Sequence, residues 1–298
     1  MTSNTSVPPK KLIEMRKDLY IWFKKNGRHE LPWRKTENSY QILISEIMLQ
    51  QTQVERVKPH WENWITKWPN IKSLASAPLN EVINAWSGLG YNRRSVNLHR
   101  TAQHIEAQYD SKVPIDEKNL LELPGIGPYT AAAIRCFSAN KKAYPADTNI
   151  TRVIARAFFG LQNSSPDTRK IIQKQLEEIE PSRNFRKHYL ALMDLGALLC
   201  QSRSPSCDLC PWQNNCHWLE RGKPSLQTSK KKSQPFESTT RYARGQIVEH
   251  LRTNPTRTTS EIRRLLPSNH KKNTAIYLET LTKEGLIEKN KTGWSLPS

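Results

Sequence analysis

Cys200, Cys207, Cys210 and Cys216 stand in the pattern C-x6-C-x2-C-x5-C, and one further cysteine, Cys136, completes the set in 298 residues. Thiolates gathered so closely form a ligand set. Soft sulfur donors in a four-ligand cage suit an iron–sulfur cluster or zinc. Zinc sites commonly pair two C-x2-C-like knuckles across a longer spacer. The single C-x2-C here, flanked by gaps of six and five, fits a cubane better. A disulfide framework fits poorly, because Met1–Lys11 is polar and lacks an apolar signal core, and a chain this long has no need of covalent staples. Cys136, in Arg135-Cys136-Phe137, reads as a small buried thiol.

Two carboxylates stand in informative settings. Glu46 lies in Ile42-Leu43-Ile44-Ser45-Glu46-Ile47-Met48-Leu49, an almost wholly apolar helical run. Burial there would raise its pKa and let it hold a proton near neutrality, as a general acid must. The plainer reading of the stretch alone is a half-exposed Glu on the edge of a core helix. Asp147, in Pro145-Ala146-Asp147-Thr148-Asn149, immediately precedes a helical run from Ile150 to Phe158, where an N-cap is the default role.

The segment Leu120-Leu121-Glu122-Leu123-Pro124-Gly125-Ile126-Gly127-Pro128-Tyr129-Thr130-Ala131-Ala132 ends one helix and opens another through a tight glycine turn. Gly125 and Gly127 let the backbone approach a phosphate, and the N–H groups of the next helix start point at it. Such a helix–hairpin–helix grips the DNA backbone without reading sequence; a plain glycine-containing turn between helices is the competing reading.

These residues need a helical frame, and the apolar spacing supplies one. Leu12, Met15, Leu19, Trp22 and Phe23 mark a first helix, and Ile42, Leu43, Ile47 and Leu49 a second. Val82, Ile83 and Trp86 mark another, and strand-like alternation is scarce. Residues 10–220 therefore read as mainly helical, ending in the cysteine loop. Residues 221–240, with Lys230, Lys231, Lys232 and Pro235 among Ser, Thr and Gln, read as a flexible basic linker. A small tail over 241–298 offers three helical runs, on Ile247, on Ile262 and on Leu278, then a short ribbon about Asn290. That order is winged-helix-like. In such a fold the third helix, preceded here by His270, Lys271 and Lys272, often meets DNA, although a protein-contact or purely stabilising role is equally open.

Lys and Arg outnumber Asp and Glu 46 to 27, a formal charge of +19. That excess attracts polyanions, and with no membrane-spanning run nucleic acid is the leading partner. Free thiols and the missing targeting segment place the expected protein in the cytoplasm, associated with the nucleoid.

The order of a helix–hairpin–helix, an Asp eighteen residues past Tyr129 and this cysteine pattern resembles the endonuclease III (HhH-GPD) superfamily of DNA glycosylases. Leu31-Pro32-Trp33-Arg34, Ser45-Glu46-Ile47-Met48-Leu49-Gln50-Gln51-Thr52-Gln53-Val54 and Gly88-Leu89-Gly90-Tyr91 resemble its MutY-type adenine glycosylases. The likeness runs from about residue 12 to 217, with a tail like that of the short members rather than the added domain that inspects oxidised guanine in long ones.

The resemblance implies a mainly α, two-lobed helix–hairpin–helix glycosylase fold. A six-helix barrel would occupy about residues 36–140, and the N-terminal helix with 141–220 would form a lobe holding a 4Fe-4S cluster on the four cysteines. It implies a monomer acting on double-stranded DNA with a mispaired base, excising adenine opposite 8-oxoguanine or guanine and leaving an abasic site. Glu46 would then protonate the flipped base, Asp147, oriented by Asn149, would stabilise the sugar cation, and Tyr129 would position the sugar–phosphate. Tyr129 stands where bifunctional relatives carry a Schiff-base lysine, so base removal without efficient strand cleavage is expected.

Other positions follow from the same resemblance. Gln51 would wedge into the gap left by the flipped base, within Gln50-Gln51-Thr52, and Tyr91 would insert beside the opposite guanine. Trp33 and Arg34 match residues lining the base pocket, Gly125 and Gly127 hold phosphate, and Arg203 on the cysteine loop presents charge to it. The chain departs from the pattern at Leu190, where adenine enzymes often have Glu or Gln and G:T thymine glycosylases have Leu, and at Asn92, where a Tyr is common. Thymine or uracil removal from G:T and G:U pairs is therefore the alternative, and a cluster-containing DNA-binding regulator without catalysis is a third reading.

Overall fold

The structure, a computed structural model, describes residues 8–163, 165, 168–224, 234–254 and 256–298. The chain divides into two compact units, one of Met1–Glu37 with Gly127–Ser229 and the other of Asn38–Ile126 with Lys230–Ser298. Both are built from helices, and the named strands among the described residues form one short antiparallel ribbon.

In the first unit the Pro9–Asn26 helix buries Leu12, Met15, Leu19 and Phe23 as one stripe. The central element is Thr148–Phe159, whose residues from Ile150 to Phe158 are nearly all buried. Phe185–Asp194, Arg169–Ile179 and His217–Glu220 pack around it. A wide π turn, Leu195–Leu199, follows Asp194 directly and closes with the Cys200 N–H donating to Leu195 O at 2.8 Å. The loop carrying the cysteines is fastened to the first helix by Trp212, whose buried indole N–H donates to Met15 O at 2.7 Å. Cys136, on Pro128–Ala139, is fully buried.

In the second unit the Asn38 side chain caps Ser39–Leu49 by accepting from the N–H groups of Tyr40 and Gln41. Every residue from Ile42 to Met48 on that helix is buried, so it lies inside the unit, against Val54–Lys67 and Arg93–Tyr109. Trp64 and Trp86 meet edge to face at 5.5 Å in the same core.

The tail belongs to this second unit. Residues 225–233 of the expected linker lie outside the described residues. A 3-10 turn at Phe236–Ser238 leads into Thr240–Thr253, capped by Thr239, and Thr258 with Glu261 forms a capping box on Thr259–Leu265. The short helix Ser268–Lys271 and the longer Thr274–Lys283 follow, then the ribbon pairing Glu288–Lys289 with Trp294–Ser295. His270 is buried rather than presented outward, with ring nitrogens 2.9 Å from the Tyr277 hydroxyl and 2.9 Å from Glu237 O. The core of the tail, which includes Ile247, Leu251, Ile262, Leu278 and Leu286, is continuous with Ile83 and Val96 from the earlier part of the unit.

Candidate active site

In the first unit, Asp147 begins the Thr148–Phe159 helix as its N-cap, accepting from Ile150 N–H at 2.7 Å. Its second carboxylate oxygen accepts from the Asn149 amide at 2.8 Å. Cap and candidate catalytic group are thus one side chain. Burial pushes the Asp147 carboxyl above its ordinary value, while the bonds from Ile150 and Asn149 and the charge of Arg152 pull the other way. Asn149 is itself oriented: its amide oxygen accepts from Arg152 Nη2 at 2.8 Å, and Arg152 also donates to Gly196 O at 2.8 Å and Cys200 O at 2.7 Å. Gly196 is required here. A Cβ on it would lie 2.7 Å from Asn149 Cβ and 2.8 Å from Asn149 O.

Cys200, Cys207, Cys210 and Cys216 line one small cavity with Arg156 and Trp218. Arg156 is fully buried, with its guanidinium over the Trp218 ring at 4.5 Å and one N–H 3.5 Å from Cys200 Sγ. It also donates to Gln162 O, Gln201 O and Ser202 O, which fixes the start of the loop. Burial pushes the Cys210 thiol up to about 12 and raises Cys216, and the neighbouring sulfurs add to both. Thiols raised in this way ionise only against a compensating cation, and four sulfurs lining one cavity are the donor set a metal group takes. The four sulfurs share this cavity without forming, among the described residues, a group of three or more placed to hold a lone metal ion. Arg203 is exposed on this loop.

In the second unit, Glu46 is buried within its apolar helix, at 7 % exposure. The two loops expected to enter DNA are held by one side chain that the motifs had not singled out. Arg94 Nη1 donates to Ile47 O, Met48 O and Gln50 O, and Nη2 to Thr52 Oγ1, Leu89 O and Gly90 O, at 2.7–3.0 Å. Its guanidinium also lies over Trp86 at 5.2 Å and Tyr91 at 5.6 Å. Gln51 and Tyr91, at the tips of these loops, both have left-handed backbone, with φ of 57° and 48°. Non-glycine residues hold that conformation only when their surroundings enforce it.

The glycine turn is formed as read. Gly125 has φ +78°, which only glycine adopts freely, and Gly127 caps Pro128–Ala139 with open space where a Cβ would stand. Tyr129 is half-buried in the first turn of that helix.

Trp33 is buried and Arg34 is committed to an ion pair. Arg34 donates from both terminal nitrogens to Asp194, at 2.5 and 2.7 Å, and Arg28 adds its own N–H and Nε. Burial alone would raise the Asp194 carboxyl, but the two arginines hold it below its ordinary value. Leu190 lies half-buried one turn earlier on the same helix. Asp194, Arg152, Arg156 and Arg94 escaped the motif reading. The available signal was the i,i+3 spacing of Asn149 and Arg152 on one helix face.

The model of the HhH-GPD superfamily base excision DNA repair proteins matches residues 44–181, which hold Glu46, both loops, the glycine turn, Asp147 and Arg152. An adenine DNA glycosylase of Mycolicibacterium smegmatis is 37 % identical over 277 residues, 93 % of this chain and 93 % of that protein. The chain belongs to the HhH-GPD superfamily. DNA is therefore its partner, and the resemblance drawn from the motifs holds. A thymine/uracil-DNA glycosylase of Methanothermobacter thermautotrophicus is 32 % identical over 67 % of this chain and 91 % of its own. Among solved structures, a thermostable thymine-DNA glycosylase superposes with a TM-score of 0.66 and 31 % identity, covering 71 % of this chain and 98 % of that one. No described helix of this superfamily member is long and apolar enough to cross a membrane.

Proposed function

We propose that the protein is a monofunctional adenine DNA glycosylase that hydrolyses the N-glycosidic bond of adenine mispaired with 8-oxoguanine or guanine and leaves an abasic site. The observation that carries this reading is the similarity to an adenine DNA glycosylase along 93 % of both chains. Gln50-Gln51-Thr52 at the loop held by Arg94 supports it.

In this reading Glu46, sheltered from water, donates a proton to a ring nitrogen of the flipped base and turns it into a leaving group. Positive charge then grows on the sugar. Asp147 supplies the opposing negative charge, kept in place by Ile150 N–H and Asn149, so that little reorganisation accompanies the step. Water completes the hydrolysis. Tyr129, at the phosphate-gripping turn, positions the sugar–phosphate and forms no imine, so the strand stays intact. Cys200, Cys207, Cys210 and Cys216 would hold a 4Fe-4S cluster, which when bound clamps the loop carrying Arg203. The protein works as a cytoplasmic, nucleoid-associated monomer on duplex DNA, and the winged-helix-like tail adds to that surface.

Glu46→Gln should slow single-turnover adenine release by about 10²–10⁴-fold while duplex affinity changes little; a near-normal rate would remove Glu46 from the acid role. Iron and acid-labile sulfide in equal amounts, about four of each per chain, are expected on analysis, and zinc in their place would overturn the cluster assignment. The second reading, thymine or uracil removal, is favoured by Leu190 and by the Methanothermobacter thermautotrophicus relative. Incubation of one preparation with A:8-oxoguanine and T:G duplexes, followed by alkali, separates the two: strand breaks should appear at adenine and not at thymine.

A further inference from the structure

A cavity of about 900 Å³ lies wholly within the second unit. One wall comes from the two loops held by Arg94, with Gln51 and Tyr91, and the other from the start of the tail, with Phe236, Arg241 and Gln246. Its volume falls in the range of ligand pockets, and its lining mixes flat rings with strong donors.

The two walls touch through Arg241. Its guanidinium donates to the Tyr91 hydroxyl and lies 4.9 Å from the ring centres of both Tyr91 and Phe236. Tyr91 and Phe236 nevertheless keep 37 % and 53 % of their surface open to solvent. Two exposed rings with a guanidinium between them are a stacking platform for a nucleobase. The tail wall is fixed in place. Arg252 donates to Ile83 O at 2.9 Å and to Asn92 Oδ1 at 3.2 Å, Ser87 donates to Glu249, and Ile83 and Val96 belong to the tail's core. Asn92 thus departs from the motif at a position the tail uses as an anchor.

We propose that this cavity receives the purine nucleotide left unpaired in the strand opposite the excised base, and that tail residues read it. The inference rests on the adenine-glycosylase reading. Arg241 and Gln246 face the purine's Hoogsteen edge, and Phe236 stacks beside it. Guanine offers two acceptors there, O6 and N7, which a guanidinium binds bidentately. Oxidation at C8 turns N7 into an N–H donor and adds an oxygen. An edge so altered needs a donor and an acceptor together, which Arg241 and the Gln246 amide supply. Arg241 exchanges the Tyr91 hydroxyl for the purine oxygen, so reading the base also frees Tyr91 to insert into the stack.

The test uses the full-length chain. Single-turnover adenine release is measured on duplexes with adenine opposite 8-oxoguanine, guanine or a tetrahydrofuran abasic analogue, for wild type, Arg241→Met and Gln246→Leu. The 8-oxoguanine-to-abasic rate ratio should fall about tenfold or more in Arg241→Met and less in Gln246→Leu. Anisotropy of the same labelled duplexes with each protein gives the affinity ratio and reads the cavity even where no adenine is released. Ratios unchanged from wild type would overturn the proposal. So would equal losses on all three duplexes, which would mean that Arg241 holds backbone phosphate. Release of adenine from no duplex by wild type would instead sink the adenine reading. Thermal unfolding checks that each variant folds, and Gln246→Leu carries the test should Arg241→Met fail that check.

Discussion

Arg152 in the first unit and Arg94 in the second are both buried, and the two are used differently. Arg152 serves a carboxylate at one remove: it holds Asn149, which holds Asp147, and anchors on the carbonyls of Gly196 and Cys200. Arg94 donates to five backbone carbonyls and one hydroxyl, all neutral. Burial lowers the pKa of both guanidiniums, that of Arg94 to about 10. The first arrangement sets the position of a charge. The second sets the shape of two loops whose tips are in left-handed backbone. A fork of fixed donors does either task, whereas a lysine, as a point charge, does neither.

The largest effect expected on the charge side comes from Asp147→Asn, with adenine release falling by about 10³-fold or more. Its pH behaviour sharpens the point. Because burial raises the Asp147 pKa, the native state binds its proton more tightly than the unfolded chain does. Its contribution to stability is present below the ordinary value of 3.8 and is lost as pH rises through the raised one. At neutral pH Asp147→Asn should therefore melt slightly higher than wild type while being inactive, since Asn also caps well. A lower Tm would place the cap, rather than the charge, first.

Lysine replacements come next. Arg152→Lys should slow release by about 10²-fold whatever base stands opposite, because the defect is a misplaced Asn149 and Asp147. Arg94→Lys should cost about 1–3 kcal/mol in urea unfolding from its stranded carbonyls, and slow release unequally among partner bases. Equal profiles for the two variants would erase the distinction between them. The smallest effect is expected from Gly125→Ala. It should lose about 1–2 kcal/mol of stability to its left-handed φ and weaken duplex affinity without changing the partner-base ratio.

The candidate positions were legible as patterns because their settings are local. Four cysteines in one loop, a Glu in a greasy helix and two glycines before Tyr129 are patterns of neighbours in sequence, and the helices around them follow from apolar spacing. The arginines were not. A net charge of +19 invites every guanidinium to be read as surface field, yet Arg94, Arg152 and Arg156 are each at most 9 % exposed. What buries them is a set of carbonyl oxygens from distant segments, and carbonyls carry no sequence signature. The same holds for the tail. Its helices could be read from periodicity, but Ile83, Val96 and Asn92 carry no mark that they will meet Leu251 and Arg252.

The wide turn at Leu195–Leu199 sets a rule about length. It closes on the fifth residue back, so the coil there takes in one residue more than an α-helix would. Each residue advances a helix by about 100°, so removing one would swing Cys200 away from both Arg152 and Arg156. Conservative exchanges of Leu for Ile or Met within this segment leave that phase intact. A single deletion does not, and would unlink the sulfur-bearing loop from the Asp147 carboxylate without altering either.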